Sequence, residues 1–147
     1  MRVEAMGSRT REPDASAGEL GQESGELDGH ALALRYNYST RDWGAYVQYD
    51  DRGEGFRADL GFVPQVDYRK GVVGGEHIWH GDGETWYDRM WLGADYDETH
   101  RQNGDFLERE LEPWWSFQGP LQSYFELRPG WRESSYQGVD FEESWVY

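Results

Sequence analysis

The sequence predicts an all-β fold, an antiparallel up-and-down meander of seven to eight strands. From His30 onward, apolar and polar residues alternate with a period of two, which is typical of strands with two unlike faces. Clusters of Gly, Pro, Asp and Asn separate the alternating runs, as expected of turns. No window sustains the 3.6-residue period of a helix.

The composition divides the chain at residue 30. Residues 1–29 are acidic and rich in Gly and Ser, and they offer few apolar groups to offset the entropy of ordering. We expect them to form a flexible segment or a long loop, and residues 30–147 to form the β segment. The predicted strands are residues 30–39, 43–50, 56–63, 71–80, 86–97, 106–117, 121–132 and 139–147.

The strand length and the aromatic content favour a membrane barrel. Runs of about 8–12 residues match a tilted membrane strand of roughly 9–11 residues and exceed the usual soluble strand of about 5–6. Aromatic residues make up 16% of a chain that is only 37% hydrophobic, which suits walls between water and lipid. The sequence therefore predicts part of an outer-membrane β-barrel, or a small one, with bacterial outer-membrane lipid as its partner.

No stretch of the chain has the roughly 18 apolar residues of a transmembrane helix. The first 13 residues are charged and contain no apolar segment of the kind found in secretory signals. An outer-membrane location is then expected only if the chain is a fragment of a longer protein, with the remaining strands of the same barrel as a further partner.

One short stretch, residues 55–69, is more distinctive than the rest. It resembles a signature of the DUF5916 family, whose members are predicted outer-membrane β-barrel proteins that often carry a carbohydrate-binding family 9-like domain. The resemblance implies a barrel longer than this chain, and the chain has no counterpart of the carbohydrate-binding-like domain. The matching signature residues are Asp59, Gly61, Phe62, Pro64, Asp67 and Arg69.

The alternation assigns charged side chains to one face of the sheet. A Lys or Arg that faces lipid at mid-bilayer costs about 2–4 kcal/mol, so the charged face is expected to line a lumen. By the same alternation, Asp88 and Arg109 fall on the apolar face. We expect them either to lie near a membrane interface or to be moved to the other face by a β-bulge. The lumen-facing candidates are Arg35, Arg57, Arg89, Asp95, Glu108, Glu110, Glu126 and Arg128.

Composition excludes several classes of function. The net charge of −15 argues against nucleic acid, because binding to phosphates needs clustered Lys and Arg. The absence of Cys excludes disulfides and thiolate metal sites. No phosphate loop, nucleophile elbow or cofactor motif is found, so we expect no catalysis, no resident metal and no cofactor.

Three groups of polar residues are candidate sites. Glu76, His77 and His80 could bind a metal, but the two histidines have opposite strand parity. Glu108, Glu110 and Glu112 could bind a hard cation, or they could be paired by Arg. The carboxylates of Asp95, Asp97 and Glu98 suggest glycoside hydrolysis, although acidic residues are common enough in this chain for such groups to arise by chance.

Two functions remain open. The first is a structural or pore-forming barrel segment with no chemistry of its own, whose acidic lumen would favour cations. The second is a soluble antiparallel β domain that binds glycans through exposed rings. Trp114–Trp115 and Trp86–Tyr87 could stack on sugars, or they could belong to an interfacial aromatic girdle.

Overall fold

The computed structural model describes residues 1–12, 25–56 and 65–147, and these residues form one antiparallel sheet. The sequence prediction of an all-β meander is confirmed, because each strand pairs with its chain neighbour in the order β1-β2-β3-β4-β5-β6-β8-β9, with β7 also on β6. The strands are β1 (Arg2–Glu12), β2 (Gly25–Ser39), β3 (Trp43–Arg52), β4 (Tyr68–His80), β5 (Arg89–His100), β6 (Phe106–Gly119), β7 (Ser123–Leu127), β8 (Pro129–Tyr136) and β9 (Val139–Val146).

Strands β7 and β8 are two halves of one interrupted strand, which corresponds to the run predicted at 121–132. Trp115 pairs with Leu127 and Leu111 pairs with Trp131, so both halves keep the same register on β6. That register places Pro113 opposite Pro129, and neither residue has an N–H to donate to the ladder. The interruption therefore follows from two facing prolines.

Residues 2–12 and 25–29, the parts of the predicted flexible segment that lie in strands, differ from that expectation, while residues 13–24 lie outside the described residues. Arg2–Glu12 is strand β1, and β2 begins at Gly25. Val3 pairs with Leu34, and Ala5 pairs with Leu32, so the apolar pattern of β1 continues that of β2. The polar composition hid this strand, because pairing between backbones does not require apolar side chains on both faces.

In the described residues β3 pairs directly with β4, and the predicted strand at residues 56–63 is described only at Phe56. Phe56 is in the described part of the chain and is not in a strand, while residues 57–63 are outside it. The Gly53 N–H donates to the His30 carbonyl at 2.9 Å, and Phe56 is buried against the backbone of Gly29. The chain thus folds back across the start of β2.

The connections lie at two opposite rims of the sheet. The first rim holds residues 40–42, 81–88 and 120–122, and the second rim holds the described residues 53–56 and 65–67 together with residues 101–105 and 137–138. Gln137 and Gly138 have positive φ angles of 52° and 78°, which is the type I′ geometry that a two-residue hairpin favours. The described residues contain no α-helix, and no helix among them is apolar and long enough to cross a bilayer.

Candidate functional site

The register gives the sheet two faces of opposite composition. Cross-strand partners share a face, so the pairs Tyr36–Val47, Val47–Val73 and Leu92–Trp115 all lie on one side. We call this side the apolar face. Its middle band consists of Val3, Ala5, Leu32, Leu34, Ala45, Val47, Val73, Leu92, Ala94 and Leu111.

The opposite side, the polar face, carries most of the charged strand residues. Arg35 binds Asp50 at 2.7 Å and Lys70 binds Asp97 at 3.0 Å. Arg132 binds Glu110 at 2.5 Å. These ion pairs join neighbouring strands, so they support the register as well as neutralising charge.

Burial is inverted relative to a soluble domain. Val73 and Leu92 on the apolar face are each 52% exposed, whereas Thr99 and Ser116 on the polar face are 8% and 6% exposed. No large side chain in the described residues is fully buried. The sheet therefore shelters its polar side and presents its apolar side to the surroundings.

Aromatic rings edge the apolar face at the first rim. Trp43 stacks on His77 with 4.3 Å between ring centroids. Phe117 lies 4.9 Å from Trp86 and 5.7 Å from Phe125. The rings contact each other across strands, as in the aromatic girdle of a membrane barrel.

Charged pairs edge the same face at the second rim. Arg69 lies 3.5 Å from Asp51, and Arg109 binds Glu133. The position of Arg109 agrees with the parity expected from the sequence, and a register irregularity lies close to it between Thr99 and His100. The apolar band is thus bordered by rings on one side and by ion pairs on the other.

Two rings on the polar face cross a glycine of the adjacent strand and reach a carboxylate on the next. The Tyr46 ring covers Gly74, and its hydroxyl donates to Asp95 at 2.7 Å. In the opposite direction, the Trp114 ring covers Gly93, and its Nε1–H donates to Glu76 at 3.3 Å. Such ring–glycine pairs fill the gap that a glycine leaves in a strand.

The polar face contains every lumen-facing candidate that the structure describes. Arg35, Arg89, Asp95, Glu108, Glu110 and Glu126 share this face by register, and the Arg128 guanidinium lies over the Trp114 ring on the same face. Arg57 lies outside the described residues, as do the signature residues Asp59, Gly61, Phe62 and Pro64. Whether the face lines a lumen stays a prediction.

The histidines of the proposed metal group are separated. His77 lies on the apolar face, where its Nδ1–H donates to the Asp42 carbonyl at 2.7 Å. His80 lies on the polar face, 2.9 Å from the Arg41 carbonyl. The described residues contain no group of three potential metal ligands with suitable geometry.

The carboxylate groups are held by neighbouring side chains. Arg132 contacts both Glu108 and Glu110. Asp95 accepts from Tyr46, and Lys70 pairs with Asp97. Glu98 lies on the apolar face with His100 and Tyr96 as partners, so it does not form a catalytic pair with Asp95.

A hydrogen-bond network at the second rim holds the two described signature residues. Asp67 accepts from the Gln102 backbone N–H and the Arg101 guanidinium, both at 3.2 Å, and Arg69 pairs with Asp51. The Gln102 amide donates to Asp51 at 2.6 Å and to two backbone carbonyls at 3.2 Å. We call this group the Gln102 network. The sequence analysis missed Gln102, because a single polar loop residue carries no pattern.

At the first rim, a carboxylate organises the 81–88 turn. The backbone N–H groups of Glu84 and Thr85 donate to Asp82 at 3.0 and 3.2 Å. These bonds lower the pKa of Asp82, since they stabilise its charged form.

We expect Gln102→Ala to loosen the second rim. The substitution leaves Asp51 and two carbonyls without their shared donor, and an unsatisfied group costs about 1–3 kcal/mol. Limited proteolysis should then cut the 101–105 connection faster than in the wild-type chain. Gln118→Ala is the matched control, because Gln118 is an exposed glutamine at the first rim, at the opposite end of the sheet from the 101–105 connection. Equal cleavage of the two variants would show that the Gln102 network does not hold the rim.

No family model, curated protein sequence or solved structure matches the chain.

Proposed function

We propose that the chain is a structural or pore-forming segment of a bacterial outer-membrane β-barrel, with no chemistry of its own. The observation that carries the proposal is the exposed apolar band. Val47, Val73 and Leu92 project from a sheet that has no fully buried large side chain. Such a surface is costly in water and favourable in lipid.

The two ends of the apolar band support the same assignment. Rings border it at the first rim, and ion pairs such as Arg109–Glu133 border it at the second. Side chains that are amphipathic or charged are expected where the wall of a barrel leaves the hydrocarbon. The polar face then faces the lumen.

The sheet has two open edges, and these edges indicate what it pairs with. In the described residues the strand order begins with β1 and ends with β9. Unpaired backbone groups in hydrocarbon cost several kcal/mol each, so a membrane sheet has to close. We propose that further strands of a larger barrel complete it, as the resemblance to the DUF5916 family implies.

The polar face favours cations if the lumen holds water. Glu76, Asp95 and Glu112 lie close together on it by register, and rings of carboxylates select cations in channels. The negative net charge of the chain acts in the same direction.

The alternative, a soluble glycan-binding domain, needs free ring faces. Trp114 is covered by Gly93 on one side and has the Arg128 guanidinium 5.3 Å from its centroid. Trp145 is likewise placed between Gly130 and Arg132. These two indoles are already packed, which favours the barrel over the glycan hypothesis.

Solubility tests the proposal. We expect the chain to aggregate in buffer and to fold with a β circular dichroism spectrum only in detergent micelles or lipid. The apolar band supplies the reason, since it needs an apolar solvent. A folded, monodisperse chain in detergent-free buffer would contradict the proposal and would favour the soluble alternative.

A further inference from the structure

The polar face contains a cavity that the barrel proposal leaves unassigned. It has a volume of about 410 Å³ and is lined in part by Asn37, Tyr46, Glu76, Asp95, Trp114 and Arg128. Pockets of roughly 300–1,000 Å³ are the size that small ligands occupy. Gly44 and Gly75 also line it.

The charges around this cavity are not balanced. Arg128 lies 3.4 Å from Glu126, a residue outside the cavity lining. Glu76 and Asp95 accept only neutral donors in the described structure, the Trp114 indole and the Tyr46 hydroxyl. The lining that the structure describes therefore holds two carboxylates and one guanidinium, which leaves an excess of one negative charge at the cavity.

A phenol ring accompanies these carboxylates. The Tyr46 ring covers Gly74 with one side, and in the part of the chain that the structure describes no other ring or guanidinium stacks on it. Its hydroxyl is fixed by Asp95, so the ring is held in place at the cavity wall. A positive group over a ring face is attracted to it.

We propose that this cavity binds a small organic cation, an ammonium or guanidinium compound. The cation would take up the charge of Glu76 and Asp95 and would lie against the Tyr46 ring. The cavity wall already contains one such cation–π contact, because the Arg128 guanidinium lies over the Trp114 ring. The inference rests on the proposed function, since it names the solute class that a lumen-facing position would prefer.

Calorimetric titration of the full chain, folded in micelles of an uncharged maltoside detergent, tests this proposal. Agmatine, which carries an ammonium and a guanidinium group, is the probe, and n-butylurea is its uncharged counterpart. We expect saturable binding of agmatine and none of n-butylurea. Glu76→Gln and Asp95→Asn should each weaken agmatine binding by about tenfold, the loss expected when one charge-assisted contact is removed.

The controls separate the cavity from general charge attraction. Glu142→Gln changes the same charge on an exposed position of β9 and should bind agmatine like the wild-type chain. Tyr46→Phe keeps the ring and should retain most of the affinity, whereas Tyr46→Leu should lose it. The β circular dichroism spectrum of each variant shows that it has folded, and if one carboxylate variant fails to fold, the other carries the test.

Two results would overturn the inference while leaving the barrel proposal intact. One is a folded wild-type chain that does not bind agmatine, or that binds n-butylurea or glucose equally well. The other is equal loss of agmatine binding in Glu142→Gln and Asp95→Asn. A chain that stays unfolded in micelles contradicts the barrel proposal itself, and the cavity proposal falls with it.

Discussion

Val73→Arg is expected to destabilise the chain in lipid by about 2–4 kcal/mol, the cost of an arginine facing the bilayer midplane. Val73 lies on the apolar face about midway along β4 between Arg69 at the second rim and Trp79 at the first. In the proposed barrel, an arginine at this position cannot reach water without displacing lipid. The free energy of unfolding in lipid vesicles, measured by urea titration, gives the effect directly.

The adjacent residue supplies a matched control. Val72 lies on the polar face, opposite Gln48 and Asp97, so Val72→Arg places the same charge beside a carboxylate and should have little effect. If the chain were a soluble domain, Val72→Arg would cost more stability than Val73→Arg, because the Val73 side chain is 52% exposed and Val72 is less exposed. A larger loss for Val72→Arg than for Val73→Arg would contradict the orientation of the faces.

Gly93→Ala should cost about 1–3 kcal/mol, the range for overpacking a filled site. A methyl group at this position would collide with the Trp114 ring and would approach the Gly75 carbonyl oxygen to 2.7 Å. The Trp114 ring would have to move away from Gly93 and would lose its hydrogen bond to Glu76. Chemical denaturation followed by tryptophan fluorescence measures the loss.

Gly71→Ala is the control for this second prediction. Nothing lies within 4 Å of a Cβ at Gly71, so alanine there causes no collision. The substitution should be neutral or should stabilise the fold by about 0.4–1 kcal/mol, because alanine has less conformational entropy than glycine in the unfolded chain. If both substitutions had the same effect, the packing of Trp114 on Gly93 would not contribute to stability.

The sequence was sufficient to predict the fold class because residue alternation directly reflects the two faces of a sheet. Runs such as 43–50 and 106–117 became β3 and β6 with small changes at their ends. The run at 56–63 alternates as cleanly, yet the described chain turns at Gly53 and buries Phe56 against Gly29. Alternation alone does not show whether a run of residues finds a neighbouring strand that is free to pair with it.

The polar face was predictable, but the contacts on it were not. Parity placed Asp95 and Glu110 on one side correctly. The cavity depends on the register of separate strands, which brings Tyr46 over Gly74 and next to Asp95, 49 positions away in the chain. Register is set by pairing between distant segments, and a single sequence carries little information on it.

Single-cysteine labelling along β5 tests the central claim most directly. The chain contains no native Cys, so a fluorophore can be attached in turn at residues 92 and 94 to 97 in lipid vesicles. We predict that labels at Leu92, Ala94 and Tyr96 are quenched by a lipid-soluble quencher, and that labels at Asp95 and Asp97 are quenched by a water-soluble one. Uniform aqueous quenching at all five positions, or quenching without a two-residue period, would contradict an apolar face in lipid and a polar face in water.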